Sequence, residues 1–320
     1  MRRRLFFGVL LWTTLASAMS IAGAEQTGPQ RQVLAADDSR RTIALLDGNG
    51  KVLWRHAVGP IHDAQLLDNG HVLFQTNFQN IVEIDRGGKT VWQYSAKSNG
   101  NEKRPVEVHA FQRLPNGLTM IAESGPARII EVDREGKIQH QVALKVDHPN
   151  AHRDTRLVRK LDSGNYLVAH EGDGMVREYD PAGKVVWEFP VPLFGKPRKG
   201  GHGVESFGNE VFSAVRLANG NTLIGTGNGH SVLEVTPAKE IVWKLEQGDL
   251  PGIQLAWVTT LQPLANGNII VGNCHAGKNN PQLIEVTRDK KVVWTFYDFE
   301  LFGDSTPVAI VLDESGMLLK

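Results

Sequence analysis

The sequence predicts an all-β protein, a six-bladed β-propeller of four-stranded blades whose ring is closed by the C-terminal strand joining the N-terminal blade. Three observations carry this. A turn element recurs six times, a hairpin element alternates with it, and the chain starts and stops at different points of the same repeat. Composition agrees: glycine is frequent (33 of 320 residues), and the Val, Ile and Leu runs are short and regularly interrupted.

The turn element reads "DGNGKVLW" (Asp47–Trp54), "DRGGKTVW" (Asp85–Trp92), "DREGKIQH" (Asp133–His140), "DPAGKVVW" (Asp180–Trp187), "TPAKEIVW" (Thr236–Trp243) and "TRDKKVVW" (Thr287–Trp294). Each copy follows an apolar run such as "IVEI" or "RIIEV" and leads into another, as a turn between strands does. Between the copies lie "LLDNGHVLF", "RLPNGLTMI", "KLDSGNYLV", "RLANGNTLI" and "PLANGNIIV", with a truncated "VLDESGMLL" at the end. Asn-Gly or Ser-Gly between apolar β runs marks a hairpin, because glycine accepts the positive φ of a tight turn. The two elements together give four strands per unit, and six units give a propeller. The chain opens with the second, third and fourth strands of a unit ("QVLAAD", "RTIALL", "KVLWRH") and closes with a first strand, "PVAIVLDE". Joining them hides both edges of the ring.

Ahead of the repeats stands "MRRRLFFGVLLWTTLASAMSIAGAEQ": arginines, an apolar run, then small residues at Ala22, Gly23 and Ala24. That order is a secretory signal peptide over residues 1–24, with an uncleaved N-terminal anchor as the other reading. The expected domains are therefore the signal, 1–24, and one propeller, 25–320; the choice between general and twin-arginine export stays open. Without the signal, 32 basic and 35 acidic residues remain, so no field for nucleic acid is implied. No later stretch is long and apolar enough for a membrane span. Cys274 is the single cysteine, which excludes an internal disulfide and leaves burial and backbone pairing to hold the fold.

The recurring tryptophans (54, 92, 187, 243 and 294) read either as an aromatic ligand platform or as packing between blades, each indole N–H donating to a local carbonyl. Their place in the outermost strand favours packing. The recurring Asp, Gly and Lys are turn residues. The signature builds a scaffold and carries no chemistry.

In a propeller the loops entering the first strand of each blade, and those between its second and third strands, open on one face. Here that face carries the long, irregular segments, while the other has terse turns. His62, His109, His148, His152, His202, His170, His230 and His275 all fall on the long-loop face. Either loop-rich surfaces simply collect polar residues, or the histidines line a mouth that binds an anion, a metal or a substrate proton donor. Carboxylates accompany them in His62-Asp63, Glu107-x-His109 and "HRDTR" (His152 to Arg156, with Asp154), and such neighbours set an imidazole's tautomer and basicity. None of these spacings is diagnostic of a metal by itself. Candidate ligand-binding residues on this face are Asp63, Glu107, His152 and Asp154, together with His170, His202, His230, Trp257 and His275. The connection "PVPLFGKPRKGGHGVESFGNE" (Pro190–Glu210) reads as a solvated insertion or as a lid over the mouth. Cys274 beside His275 reads as a buried strand-end cysteine or as a nucleophile or ligand pair.

The alternation of "RLANGNTLI"-type and "DPAGKVVW"-type segments resembles two related bacterial propeller repeats, quinoprotein (PQQ)-like and arylsulfotransferase-like, over about residues 31–319. Lines such as "HAFQRLPNGLTMI" and "HDAQLLDNGHVLF" look more like the second. The arylsulfotransferase resemblance implies a channel histidine as transient sulfate carrier. His62 and His109 match the "H-x-x-x-x-L" position, and Arg156 stands at the equivalent place in the fourth blade. Phe212, Thr259 and Pro307 occupy it in the other blades, so the basic ring is incomplete. Cofactor-using quinoproteins typically have eight blades and often a vicinal disulfide, so the quinone PQQ is not expected; a metal ion at the His-rich face is compatible with the residues. Two functions follow, and whether the chain is an enzyme stays open. One is an exported, non-catalytic propeller binding a small molecule or protein at its His-rich mouth. The alternative is a sulfotransferase-like enzyme with a channel histidine as nucleophile or base, His62, His109 and Arg156 carrying the catalysis.

Overall fold

The recurring turn sets the first level of structure. In the computed structural model, which describes residues 24–319, the Asp85 carboxylate accepts the amides of Gly87 and Lys89, each at 2.9 Å. The turns headed by Asp47, Asp133 and Asp180 repeat the pattern, and the hydroxyls of Thr236 and Thr287 accept one amide each in its place. Gly88 closes its turn at φ 83°; in the last two turns Lys239 and Lys290 sit at φ 70° and 64°, which L-residues adopt only under constraint.

Six antiparallel sheets result. Blade 1 pairs Val308–Leu312 with Gln32–Asp37, followed by Thr42–Leu46 and Val52–Ala57, so the C-terminal strand closes the ring as the repeat phase requires. Blades 2 to 5 each take four consecutive strands, starting at Ala64–Leu66, Glu107–Arg113, Val158–Lys160 and Ser213–Arg216. Blade 6 starts at Trp257–Pro263 and has a fifth strand that the sequence does not announce: Glu25–Thr27 pairs with the outermost strand, Gln26 opposite Phe296. The expected signal segment falls outside the described residues, apart from Ala24. Among the described residues no helix is long and apolar enough to cross a membrane.

The apolar layers lie between neighbouring blades, and a repeated polar bolt pins each layer at its rim. The indole of Trp92 donates to the Arg134 carbonyl, Trp187 to Pro237 and Trp243 to Arg288, at 2.8–3.1 Å. In every case the acceptor is the second turn residue of the next blade. The tryptophans are thus packing residues with a satisfied N–H. Beside each bolt, the Glu two residues before the turn meets a cation of the following blade: Glu83 with Arg113 (2.8 Å) and Arg134 (2.7 Å), Glu131 with Lys160, Glu178 with Arg216 (2.6 Å), Glu234 with Arg288. The same arginines lie over the indoles, Arg113 on Trp92 at 4.8 Å and Arg288 on Trp243 at 4.4 Å.

The extra strand explains how the pattern survives where the chain ends meet. Trp294 donates to the side-chain oxygen of Gln26 (3.0 Å), whose amide nitrogen reaches the Gly48 carbonyl (3.4 Å), the second turn residue of blade 1. Glu285 pairs with Arg31 alongside. Among the described residues the indole bolt is missing at two seams. One lies between blades 3 and 4, where His140 stands in the Trp position and stacks on Tyr166 beside the Glu131–Lys160 pair. The other lies between blades 1 and 2, where the ion pair is missing too. Leu45 replaces the Glu, and Trp54 packs edge-on against Phe74 with ring centroids 5.9 Å apart.

Candidate functional site at the channel mouth

One repeat position at the start of each innermost strand, five residues before the leucine that precedes the hairpin turn, fixes a ring. His62, His109, Arg156, Phe212, Thr259 and Pro307 occupy matching register in blades 2 to 6 and 1. Four of them, His62, Phe212, Thr259 and Pro307, border both a central channel of about 860 Å³ and a mouth cavity of about 520 Å³ on the long-loop side. The ring is the partition between the two.

On one side of the mouth three imidazoles surround Phe78, with centroids 4.7 Å (His62), 4.7 Å (His109) and 5.3 Å (His152) from its ring. His62 Nδ1 and His109 Nδ1 are 3.0 Å apart, so one donates to the other. Glu107 and His109 lie two apart on one strand, and the ladder skips His109 at a β-bulge that turns its ring onto Glu107. Glu107 Oε2 lies 2.7 Å from His152 Nδ1 and 3.1 Å from His109 Nε2, the latter off the angle a hydrogen bond needs. Burial, reinforced by the Arg156 guanidinium and by His152, pulls the pKa of His62 and of His109 well below the usual imidazole value. Both rings are neutral at physiological pH. Burial also raises Asp38, 3.9 Å from His62 Nε2, to about 7.

Arg156 forms the floor. Its buried guanidinium meets Glu171 at 2.5 Å, and Glu171 in turn meets Arg153 at 2.9 Å, which reaches Glu210. The opposite wall holds His202 at 4.7 Å from Trp257 and 5.2 Å from His275, centroid to centroid. His202 arrives on the Pro190–Glu210 connection, whose Lys199 and Phe207 bridge back on each other. In this structure that segment is wall rather than free loop.

The structure thus lines one cavity with four of the eight sequence-selected histidines (His62, His152, His202 and His275), Trp257 and Arg156, and sets His109 and Glu107 directly behind, against His62 and His152. It places the others elsewhere. His170 is buried between the Asp154 carbonyl (2.7 Å) and the Tyr179 hydroxyl (2.9 Å). His230 is held by the carbonyls of Ala256 and Ser206. His148 is exposed beside Asp173. Asp154 ties loop amides of Gly125 and Asn150, and Asp63, fully buried, grips Arg159 through both carboxylate oxygens at 2.8 Å inside the channel. Cys274 is buried against the Asp304 carbonyl, and burial pushes its thiol well above the ordinary range, so it holds no thiolate. The sequence reading passed over Asp38, Phe78, Glu171 and Glu210. All four lie on long-loop-face segments, so the face assignment, applied to every loop residue rather than to histidines first, finds them.

A family model described as outer membrane protein assembly factor BamB (PQQ_2) matches residues 8–112 and 39–296. The chain belongs to this PQQ-like repeat family. Of the two resemblances that the repeats suggested, this is the supported one. No curated protein sequence matches the chain. Among solved structures, a protein of unknown function from Bacteroides caccae is 24% identical with a TM-score of 0.74, over 88% of this chain and 99% of that one. A streptogramin B lyase is 13% identical (TM-score 0.58; 87% and 88% covered). A catalytically inactive virginiamycin B lyase from Staphylococcus aureus, solved with quinupristin, is also 13% identical (TM-score 0.56; 88% and 90% covered). At these identities the likeness is one of fold.

Proposed function

We propose that this PQQ-like repeat protein is exported and acts as a non-catalytic binding propeller, taking a small-molecule or protein ligand into its His-rich mouth. One observation carries the reading: five blades and the long connection converge four imidazoles, a paired guanidinium and the aromatic rings of Phe78, Phe212 and Trp257 on one cavity of about 520 Å³. That mix of aromatic wall and few oriented polar groups suits a binding site. The non-catalytic half rests on how the reactive groups are engaged. His62 and His109 bond each other, Arg156 is neutralised by Glu171, and Cys274 is a buried thiol. Export rests on the N-terminal residue order and on the family match, whose description names outer membrane assembly.

The test is a thermal-shift screen with aryl carboxylates, aryl phosphates and aromatic amines. At about a hundredfold over Kd a ligand adds roughly 2.7 kcal/mol, a shift of several degrees. At least one class should raise the wild-type Tm and leave Trp257→Ala and His202→Ala unmoved. A panel that shifts nothing, or shifts the variants equally, overturns the binding site. Turnover of an aryl sulfate with a phenol acceptor, lost in His62→Ala, overturns the non-catalytic half.

A further inference from the structure

The mouth contains a polar atom that the protein leaves unserved. His109 is 1% exposed, and its Nε2 has no hydrogen-bond partner of acceptable geometry. A buried nitrogen in that state is costly unless something completes it. Two proton orders fit the His62–His109 contact, and one of them leaves His109 Nε2 a bare acceptor. If His109 Nδ1–H donates to His62 Nδ1, then His62 Nε2–H faces Asp38, and His109 Nε2 keeps its lone pair. That lone pair points at Glu107 Oε2, an acceptor only, and two electron-rich atoms at 3.1 Å repel unless a cation joins them.

We propose that Glu107, His109 and His152 form a binding site for a divalent first-row transition metal of the zinc type, open toward the mouth cavity. One donor atom from each residue lies within 4.8 Å of the others. Two imidazoles and one carboxylate suit such ions, whose bond lengths of about 2.0–2.2 Å need only small side-chain adjustments from these separations. Glu107 and His109 are fixed by their strand, whereas His152 is about half exposed and free to close on an ion. The His62–Asp38 pair behind His109 orients the ring from its other nitrogen, the usual support for a ligating imidazole. Charge agrees as well in sign: the carboxylates of Glu107, Glu171 and Glu210 outnumber the guanidinium groups of Arg153 and Arg156 at this wall. With three protein ligands, a tetrahedral ion keeps one position for water or for a donor atom of a ligand in the cavity.

This site rests on the binding reading for its location, but its probe is zinc alone. Failure here leaves the aromatic wall free to hold an organic ligand, and failure of the screen above leaves zinc binding intact. The experiment is isothermal titration of the purified, chelator-treated protein with zinc chloride, with elemental analysis after dialysis. Wild type should bind one equivalent, and His152→Ala and Glu107→Gln should each weaken binding at least about a hundredfold, the upper end of what loss of a mere supporting group costs. Because His152 is at the surface, that variant retains its fold, and an unchanged melting temperature without zinc verifies this. His62→Ala should weaken zinc binding less than either ligand variant. Absence of stoichiometric zinc in wild type, or zinc affinity unchanged in both ligand variants, overturns the site.

Discussion

Two sets of equivalent positions behave oppositely in this repeat. At the blade rim, the residue two before the turn is Glu in five blades of six, and the residue seven after the turn's start is Trp in five of six. At the inner end of the first strand, the six equivalents are His, His, Arg, Phe, Thr and Pro. Most rim positions perform one task, bolting a blade to its successor, so one solution recurs, by indole in four seams of six. The ring positions meet around a single axis, where each faces a different neighbour. Uniformity across repeats marks the scaffold, and divergence at fixed register marks the surface free to take on chemistry.

The contrast can be broken most severely at the rim. Trp294 is fully buried and joins blade 6, the N-terminal strand and, through Gln26, blade 1. Trp294→Ala should cost about 3–5 kcal/mol in denaturant unfolding, with a cavity and the lost indole hydrogen bond to Gln26 as causes. A loss below about 1 kcal/mol would show that the seam does not depend on it. The next effect tests a histidine that left the mouth. Burial pulls His170 from 6.5 to about 4, so between those values the unfolded chain takes up a proton that the folded chain refuses. Its contribution is complete above pH 6.5 and declines as the pH falls toward 4, by about 3 kcal/mol in total. Unfolding at pH 7 and at about pH 4.5 should differ by less in His170→Gln than in wild type by most of that amount; an equal slope removes His170 as the cause. The smallest effect belongs to the cavity wall. His202 is exposed, and His202→Ala should move stability by no more than about 0.5 kcal/mol while changing ligand response. A larger stability loss would place His202 among the structural residues.

The blades were legible because their turns are chemical statements: Asp caps amides and Gly takes a positive φ at the same two places in four of the six turns. The fifth strand of blade 6 was not, because three residues carry no period and Gln26 reads as any polar residue until Trp294 is placed beside it. The site was half legible. Register gave the face and five histidines, but His170 and His230 start on that face and turn inward to carbonyls, which only packing decides. Asp63 shows the same limit: next to His62 in sequence, it is taken up by Arg159, a partner 96 residues away that only the fold brings beside it.

The closing strand also sets a schedule. Gln32–Asp37 finds its partner Leu312 only when nearly the whole chain exists, roughly 280 residues later. At about 5–20 residues per second, an apolar strand edge waits on the order of 15–55 s after it is made. During that interval one edge of "VLAA" is an unpaired template for the wrong strand, and Glu25–Thr27 waits nearly as long for the outermost strand of blade 6 to be made. The mouth, built from blades 2 to 4 on its imidazole side, can assemble before either end is secured. The binding face is early and the closure late, so a chaperone acting on this chain has its work at the seam.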